Sequence, residues 1–124
     1  IPLEEPLPPF RTIVSDAQLE KVKKINASSL AAKDLYSAWG IASSNHFRGL
    51  TLAGNASLKN LRHIIGRLPE GITELMVHPG SACTEGTPFD LDPQRQTELR
   101  MLTDASIVEE LQERDIRLAS YGDL

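Results

Sequence analysis

An apolar run that ends on a histidine and a Pro-Gly pair, Ile72-Thr73-Glu74-Leu75-Met76-Val77-His78-Pro79-Gly80, constrains this chain more than any other segment. It has the length of a buried strand, and Pro79-Gly80 stops it abruptly, so a titratable ring is expected at the mouth of a sheet. Alternation across a strand groups Glu74, Met76 and His78 on one face and Leu75 and Val77 on the other. A carboxylate in a strand interior costs free energy unless it is partnered, so Glu74 either has a partner or faces a polar cavity. The plainer alternative is an edge strand with one face in water.

The segments around this run read mostly as helices. Ser15 and Asp16 supply N-cap chemistry for a first helix whose Leu19, Val22 and Ile25 form one apolar stripe, with Asn26-Ala27-Ser28 as an interruption. A second helix is expected from about Ser29 to Ala38, carrying Leu30, Leu35 and Trp39 toward a core and ending at Gly40. A short strand near Ile41 to Phe47 leads to Phe47-Arg48-Gly49. Ser57 caps an amphipathic helix with Leu58, Leu61, Ile64, Ile65 and Leu68 on one face, and Pro69-Glu70-Gly71 stops it. After the informative strand, Pro79 to Asp92 has no periodicity, and a loop of that length in a small domain is usually functional or disordered. Asp92 and Asp104 cap two further helices, the first with Pro93 in its opening turn and with Arg95, Glu98 and Leu102 on one face. In the second, Ile107, Val108 and Leu111 are expected to pack inward, and Ile116 to Ser120 reads as a final strand.

Helices alternating with strands in this order predict an α/β fold with three parallel strands. Ligands of such sheets gather at the carboxyl ends of the strands, which is where Arg48, His78 and the long loop fall; the Arg95 helix follows that loop directly. The open edges of so small a sheet invite pairing with a second copy or with further chain.

Composition narrows the partners. The 124 residues suffice for a single domain, 1–124, with one modest core. Residues 1–14 form an extended lead-in, because Pro2, Pro6, Pro8 and Pro9 disfavour helix and central strand alike, and Ile1 suggests a chain joined partway. A net charge of -4, with basic residues dispersed apart from Lys21, Lys23 and Lys24 on a solvated helix face, argues against nucleic acid. The single Cys83 excludes an internal disulfide and a cysteine zinc cage. No stretch is apolar for long enough to span a membrane, and a cytoplasmic location is expected.

The Ile72–Gly80 run, Phe47-Arg48-Gly49, Arg95 with Glu98-Leu99, Leu102-Thr103-Asp104 and the closing Ile116 to Ser120 together resemble the C-terminal half of YdjC-like carbohydrate deacetylases, over roughly Gly40 to Tyr121. The resemblance implies part of a TIM-barrel-like (β/α) fold and metal-dependent removal of acetyl groups from N-acetylated amino sugars such as chito-oligosaccharides. It also implies a divalent metal, magnesium or zinc, for the full fold. One subgroup of that family is associated with hopanoid lipid biosynthesis, and the resemblance allows it.

The chain departs from the family at its N-terminal half, where an Asp-Asp pair and a His-x-His strand are expected to supply the base and the metal ligands. His46, His63 and His78 are 17 and 15 residues apart and match neither spacing, and Asp90-x-Asp92 is more often a helix cap than a cation loop. No metal is therefore expected to bind this chain alone, and the missing half or a second copy is an expected partner. Amide hydrolysis also needs an acid for the departing amine, and a histidine titrating near neutrality suits that role. His78 is the catalytic candidate, as that acid or to position the acetyl group; the plain alternative is a histidine that hydrogen-bonds the loop backbone. Arg48 and Arg95 are candidates to hold a carboxylate, with Glu74 one partner for it, and Glu98 supports the site. On the plain reading Arg95 and Glu98 are a surface helix pair of little energetic weight. His63 is expected to be solvated, Cys83 is assigned no role, and Tyr36 and Trp39 are expected to pack rather than stack on sugar. Two classes follow: a deacetylase contributing the C-terminal part of its site, or a non-catalytic module that binds or self-associates.

Overall fold

In the computed structural model, which describes residues 14–123, each helix begins where a side-chain oxygen can take an orphan backbone N–H. Helix α1 (Asp16–Ala38) opens on a capping box: Gln18 N–H donates to Ser15 Oγ, and Ser15 N–H donates to Gln18 Oε1, both at 3.2 Å. Ser57 caps α2 (Leu58–Ile65), accepting from Asn60 N–H at 3.2 Å. Asp92 caps α3 (Pro93–Leu102), and Asp104 caps α4 (Ala105–Glu113). Lys21, Lys23 and Lys24 are exposed, as expected.

The C-terminal ends explain two corrections. Gly40, at φ 65°, ends α1 in a Schellman motif: Gly40 N–H donates to Ser37 O and Ile41 N–H to Tyr36 O. Helix α4 ends the same way through Asp115, at φ 54°, with Asp115 N–H on Gln112 O and Ile116 N–H on Leu111 O. Ile41 and Ile116 are thus the closing residues of helix caps and do not start strands. No strand forms over 116–120, where Leu118 is exposed. The break expected at Asn26-Ala27-Ser28 is also absent. Helix α1 runs through it, because these residues cost well under 1 kcal/mol each in a helix interior, and Ser29 Oγ donates back to Ile25 O at 2.8 Å. Val22 and Ser29 are the buried residues of this helix; Leu30, Leu35 and Trp39, expected in the core, are exposed.

Among the described residues two strands form, not three. β1 (His46–Arg48) pairs in parallel with β2 (Thr73–Leu75), with His46 opposite Thr73, Phe47 opposite Glu74 and Arg48 opposite Leu75. One further bond, Met76 N–H to Arg48 O at 2.8 Å, continues the ladder. Gly49 makes room there. At φ 125° it occupies backbone space that only glycine visits readily, and a Cβ would collide with the Met76 carbonyl oxygen. Among the described residues, four α-helices, a short 3-10 helix (Tyr121–Asp123) and a small parallel sheet make an α/β arrangement.

The chain divides into two compact units. The first comprises residues up to Thr51, Leu68–Met76 and those from Ser120 onward. It contains α1 and both strands. The second comprises Leu52–Arg67 and Val77–Ala119, with α2, α3 and α4. Its buried side chains include Leu52, Leu61, Ile64, Ile65, Met101 and Ile107, while Val108, expected inside, is half exposed. Arg62 links α2 to α4 by donating to Ser106 Oγ at 2.6 Å and pairing with Glu110 at 3.5 Å. The proline-rich lead-in lies outside the described residues except for Val14, which is buried.

Candidate functional site

His78 stands three residues beyond the end of β2, so it is a loop residue and not the last residue of a strand. Its backbone is nonetheless fixed. His78 N–H donates to Glu98 Oε2 at 2.5 Å, and Glu98, on α3, is only 4% exposed. A carboxylate so deeply buried requires a donor, and a hydrogen bond to a charged acceptor is about twice as strong as a neutral one. Glu98 therefore ties the start of the long loop to α3.

The other end of the loop closes on Arg95. Phe89 meets the His78 ring edge to face, with centroids 5.6 Å apart at 89°. The Arg95 guanidinium lies 4.7 Å over the Phe89 ring centroid, within cation–π range. Arg95 Nη1 also pairs with Asp90 Oδ1 at 3.3 Å. Asp90 Oδ2 accepts from Thr87 Oγ1 at 2.6 Å and Thr87 N–H at 2.9 Å, and these bonds, with Arg95 adding to them, hold the Asp90 carboxyl below its ordinary value. Gly80 N–H donates to the Arg95 carbonyl at 3.1 Å, and a Cβ at Gly80 would come within 2.7 to 2.8 Å of the guanidinium. The side chain packs directly against the Gly80 backbone. Arg95 Nε is buried with no hydrogen-bond partner.

The Arg95–Glu98 surface pair of the plain reading does not form. Glu98 turns inward to the His78 amide, and Arg95 takes Asp90 as its carboxylate. His78, Arg95 and Glu98 do come together within the second unit, on the frame of α3.

Arg48 and Glu74 belong to the first unit. They do not pair. The register sets Arg48 opposite Leu75 and Glu74 opposite Phe47, and alternation sends the two side chains to opposite faces. Arg48 Nη1 donates to Phe47 O at 2.9 Å, and its buried Nε has no partner. Glu74 accepts from Ser44 Oγ at 3.4 Å and from the Tyr121 phenol, whose pKa this bond raises. The need for a partner, legible in the sequence, is met by these two hydroxyls.

The remaining candidates stand apart. His46 Nε2 contacts Glu70 O at 3.1 Å, and His63 Nδ1 contacts Arg67 at 2.9 Å. His63, expected in solvent, is half-buried, and desolvation followed by the Arg67 charge lowers its pKa. Cys83 is exposed and donates to Glu85 O. Among the described residues no group of three or more His, Cys, Asp or Glu side chains converges as a metal site. Asp90 is committed to Thr87 and Arg95, and Asp92 to capping α3. These residues do not fit the divalent metal that the resemblance implies.

Phe89, Asp90, Thr87, Ser44 and Tyr121 were not singled out as site residues by the sequence. Phe89 had one usable signal: it is the aromatic of an aperiodic loop, with no helical or strand face to bury it, next to an aspartate and six residues before an arginine.

A family model described as YdjC-like protein matches residues 4–113. No curated protein and no solved structure matches the chain. The YdjC-like family is associated with carbohydrate deacetylase-type function, which suggests a carbohydrate substrate. Among the described residues no helix is long and apolar enough to cross a membrane.

Proposed function

The chain belongs to the YdjC-like family, and from that premise we propose that it forms the proton-donating part of a deacetylase acting on N-acetylated amino sugars. The observation that carries this reading is the anchoring of the His78 amide by the buried Glu98 carboxylate, with the imidazole set edge to face against Phe89. Cleaving an acetamide requires an activated water, stabilisation of the oxyanion, and a proton for the departing amine. As an imidazolium, His78 gives its proton to the amine nitrogen as the C–N bond breaks; the resulting imidazole recovers a proton from solvent. An acid that must meet one nitrogen gains from a backbone and a ring that do not wander.

The described residues do not assemble a metal site, so in this reading the metal-holding donors lie outside residues 14–123. The chain then serves as the C-terminal portion of a TIM-barrel-like (β/α) architecture, completed by an N-terminal portion or a second copy. A hopanoid-linked glycolipid and a cytoplasmic site of action both fit this reading.

The test is acetate release from N-acetylated chito-oligosaccharides, with magnesium or zinc supplied, by the natural protein that carries these residues. His78→Ala should lower kcat by about 10²–10⁴-fold, the usual contribution of a general acid. Equal rates for the two proteins would sink the assignment. The lack of a converging metal-ligand group among the described residues favours a second reading, a non-catalytic module. Its signature would be sugar binding by the natural protein without acetate release.

A further inference from the structure

Glu98 holds the His78 amide, but a bond to a backbone N–H leaves the two side-chain torsions of the histidine undetermined. Something else must define where the imidazole points. The ring contact found there is with Phe89, itself a loop residue and half exposed. An exposed aromatic on a loop would ordinarily be mobile, yet this one is restrained twice. Its ring lies under the Arg95 guanidinium, which projects from α3, and its chain neighbour Asp90 is bound to Thr87 and to the same guanidinium. Gly80 backs this arrangement, since its lack of a Cβ leaves space for the guanidinium.

We propose that Phe89 is the positioning residue for the His78 imidazole, and that Arg95 acts through it: α3 fixes Arg95, Arg95 fixes Phe89, and Phe89 fixes the ring. The value of this positioning for catalysis rests on the reading of His78 as the acid; the positioning itself does not.

The experiment compares the chain with Phe89→Leu, Phe89→Tyr and Arg95→Leu variants by NMR. Three-bond couplings at the His78 side chain read its χ1 distribution, and amide exchange at His78 reads the Glu98 bond separately. The wild type should show a single χ1 rotamer. Phe89→Leu keeps apolar bulk but removes the ring, and should give couplings averaged over rotamers while the His78 amide stays protected. Phe89→Tyr should restore the single rotamer, which separates positioning from general disruption of the loop. Arg95→Leu should average the couplings as Phe89→Leu does. An unaveraged His78 coupling in Phe89→Leu would overturn the proposal, as would loss of the single rotamer in Phe89→Tyr with the amide still protected.

Acetate release by the natural protein adds an independent arm. There Phe89→Leu should lower kcat by about tenfold to a hundredfold, the scale of a modest misplacement, with KM little changed. Averaged couplings with an unchanged kcat would leave Phe89 as the positioning residue and overturn the assignment of His78 as the acid.

Discussion

Replacing Glu98 by leucine isolates what the buried carboxylate does. Leucine is of similar bulk and suits a site only 4% exposed, so little cavity is left behind. The His78 N–H, however, loses its acceptor. His78 is only partly buried, so orphaning its N–H falls toward the lower end of the about 1–3 kcal/mol that a buried donor costs, and the bond being removed is of the charge-assisted kind, worth about 1.5–3 kcal/mol net. Leucine recovers part of this through apolar burial, so a loss of about 1–2 kcal/mol is expected. Glutamine is the informative companion. It retains an acceptor oxygen and removes a charge that is expensive to bury, so Glu98→Gln should stay within about 1 kcal/mol of the wild type. Urea unfolding followed by far-UV circular dichroism gives both differences, provided the slopes agree, and hydrogen exchange at the His78 amide locates the effect. Protection at that amide should fall in the leucine variant and persist in the glutamine one. If leucine matched glutamine in stability and left the amide equally protected, the Glu98–His78 bond would not be anchoring the loop.

Three further outcomes follow from features outside that bond. Gly49→Ala should cost about 2–4 kcal/mol, since it combines a left-handed φ with collision against the Met76 backbone, which cannot swing aside; urea unfolding measures it. Asp115→Gly should stabilise by about 0.5–1 kcal/mol, because Asp115 holds φ 54° where glycine sits without strain; a rise in thermal midpoint would confirm it and a fall would refute it. Asp90 gives a pH dependence of known sign. Its pKa is lowered on folding, so its contribution is complete above the unfolded value of about 3.9 and is lost as pH falls through the lower folded value. Between pH 5 and 2 the urea midpoint should therefore drop more steeply for the wild type than for Asp90→Asn; parallel curves would contradict the Thr87 and Arg95 contacts.

What the sequence disclosed and what it withheld divide along physical lines. Ser15, Ser57, Asp92 and Asp104 were legible as caps because a cap is a contact over two or three residues, and local chemistry decides it. Gly40 was legible for the same reason. Ile41 and Ile116 misled because an isoleucine after a helix satisfies two patterns equally well, the first residue of a strand and the apolar residue that closes a Schellman motif. Only the backbone bonds separate them. Leu30, Leu35 and Trp39 misled because a hydrophobic side chain on a helix need not be covered. In the site, the need of Glu74 for partners could be read from its strand, but Ser44 and Tyr121 are 30 and 47 positions away, and no local rule reaches that far. Glu98 could be singled out from the sequence while its partner could not, because that partner is a main-chain amide twenty positions away, and main-chain groups carry no letter in the sequence.

The exposure of Trp39 has a practical side. It is the sole tryptophan, and in the folded chain it is already 74% exposed. Its emission is set largely by water before any denaturant is added. A melting curve recorded through intrinsic tryptophan fluorescence would therefore stay nearly flat while the helices unravel, and a flat trace would invite the mistaken conclusion that the chain never folded. Ellipticity at helical wavelengths, to which the 23 residues of α1 contribute strongly, is the signal that reports the transition.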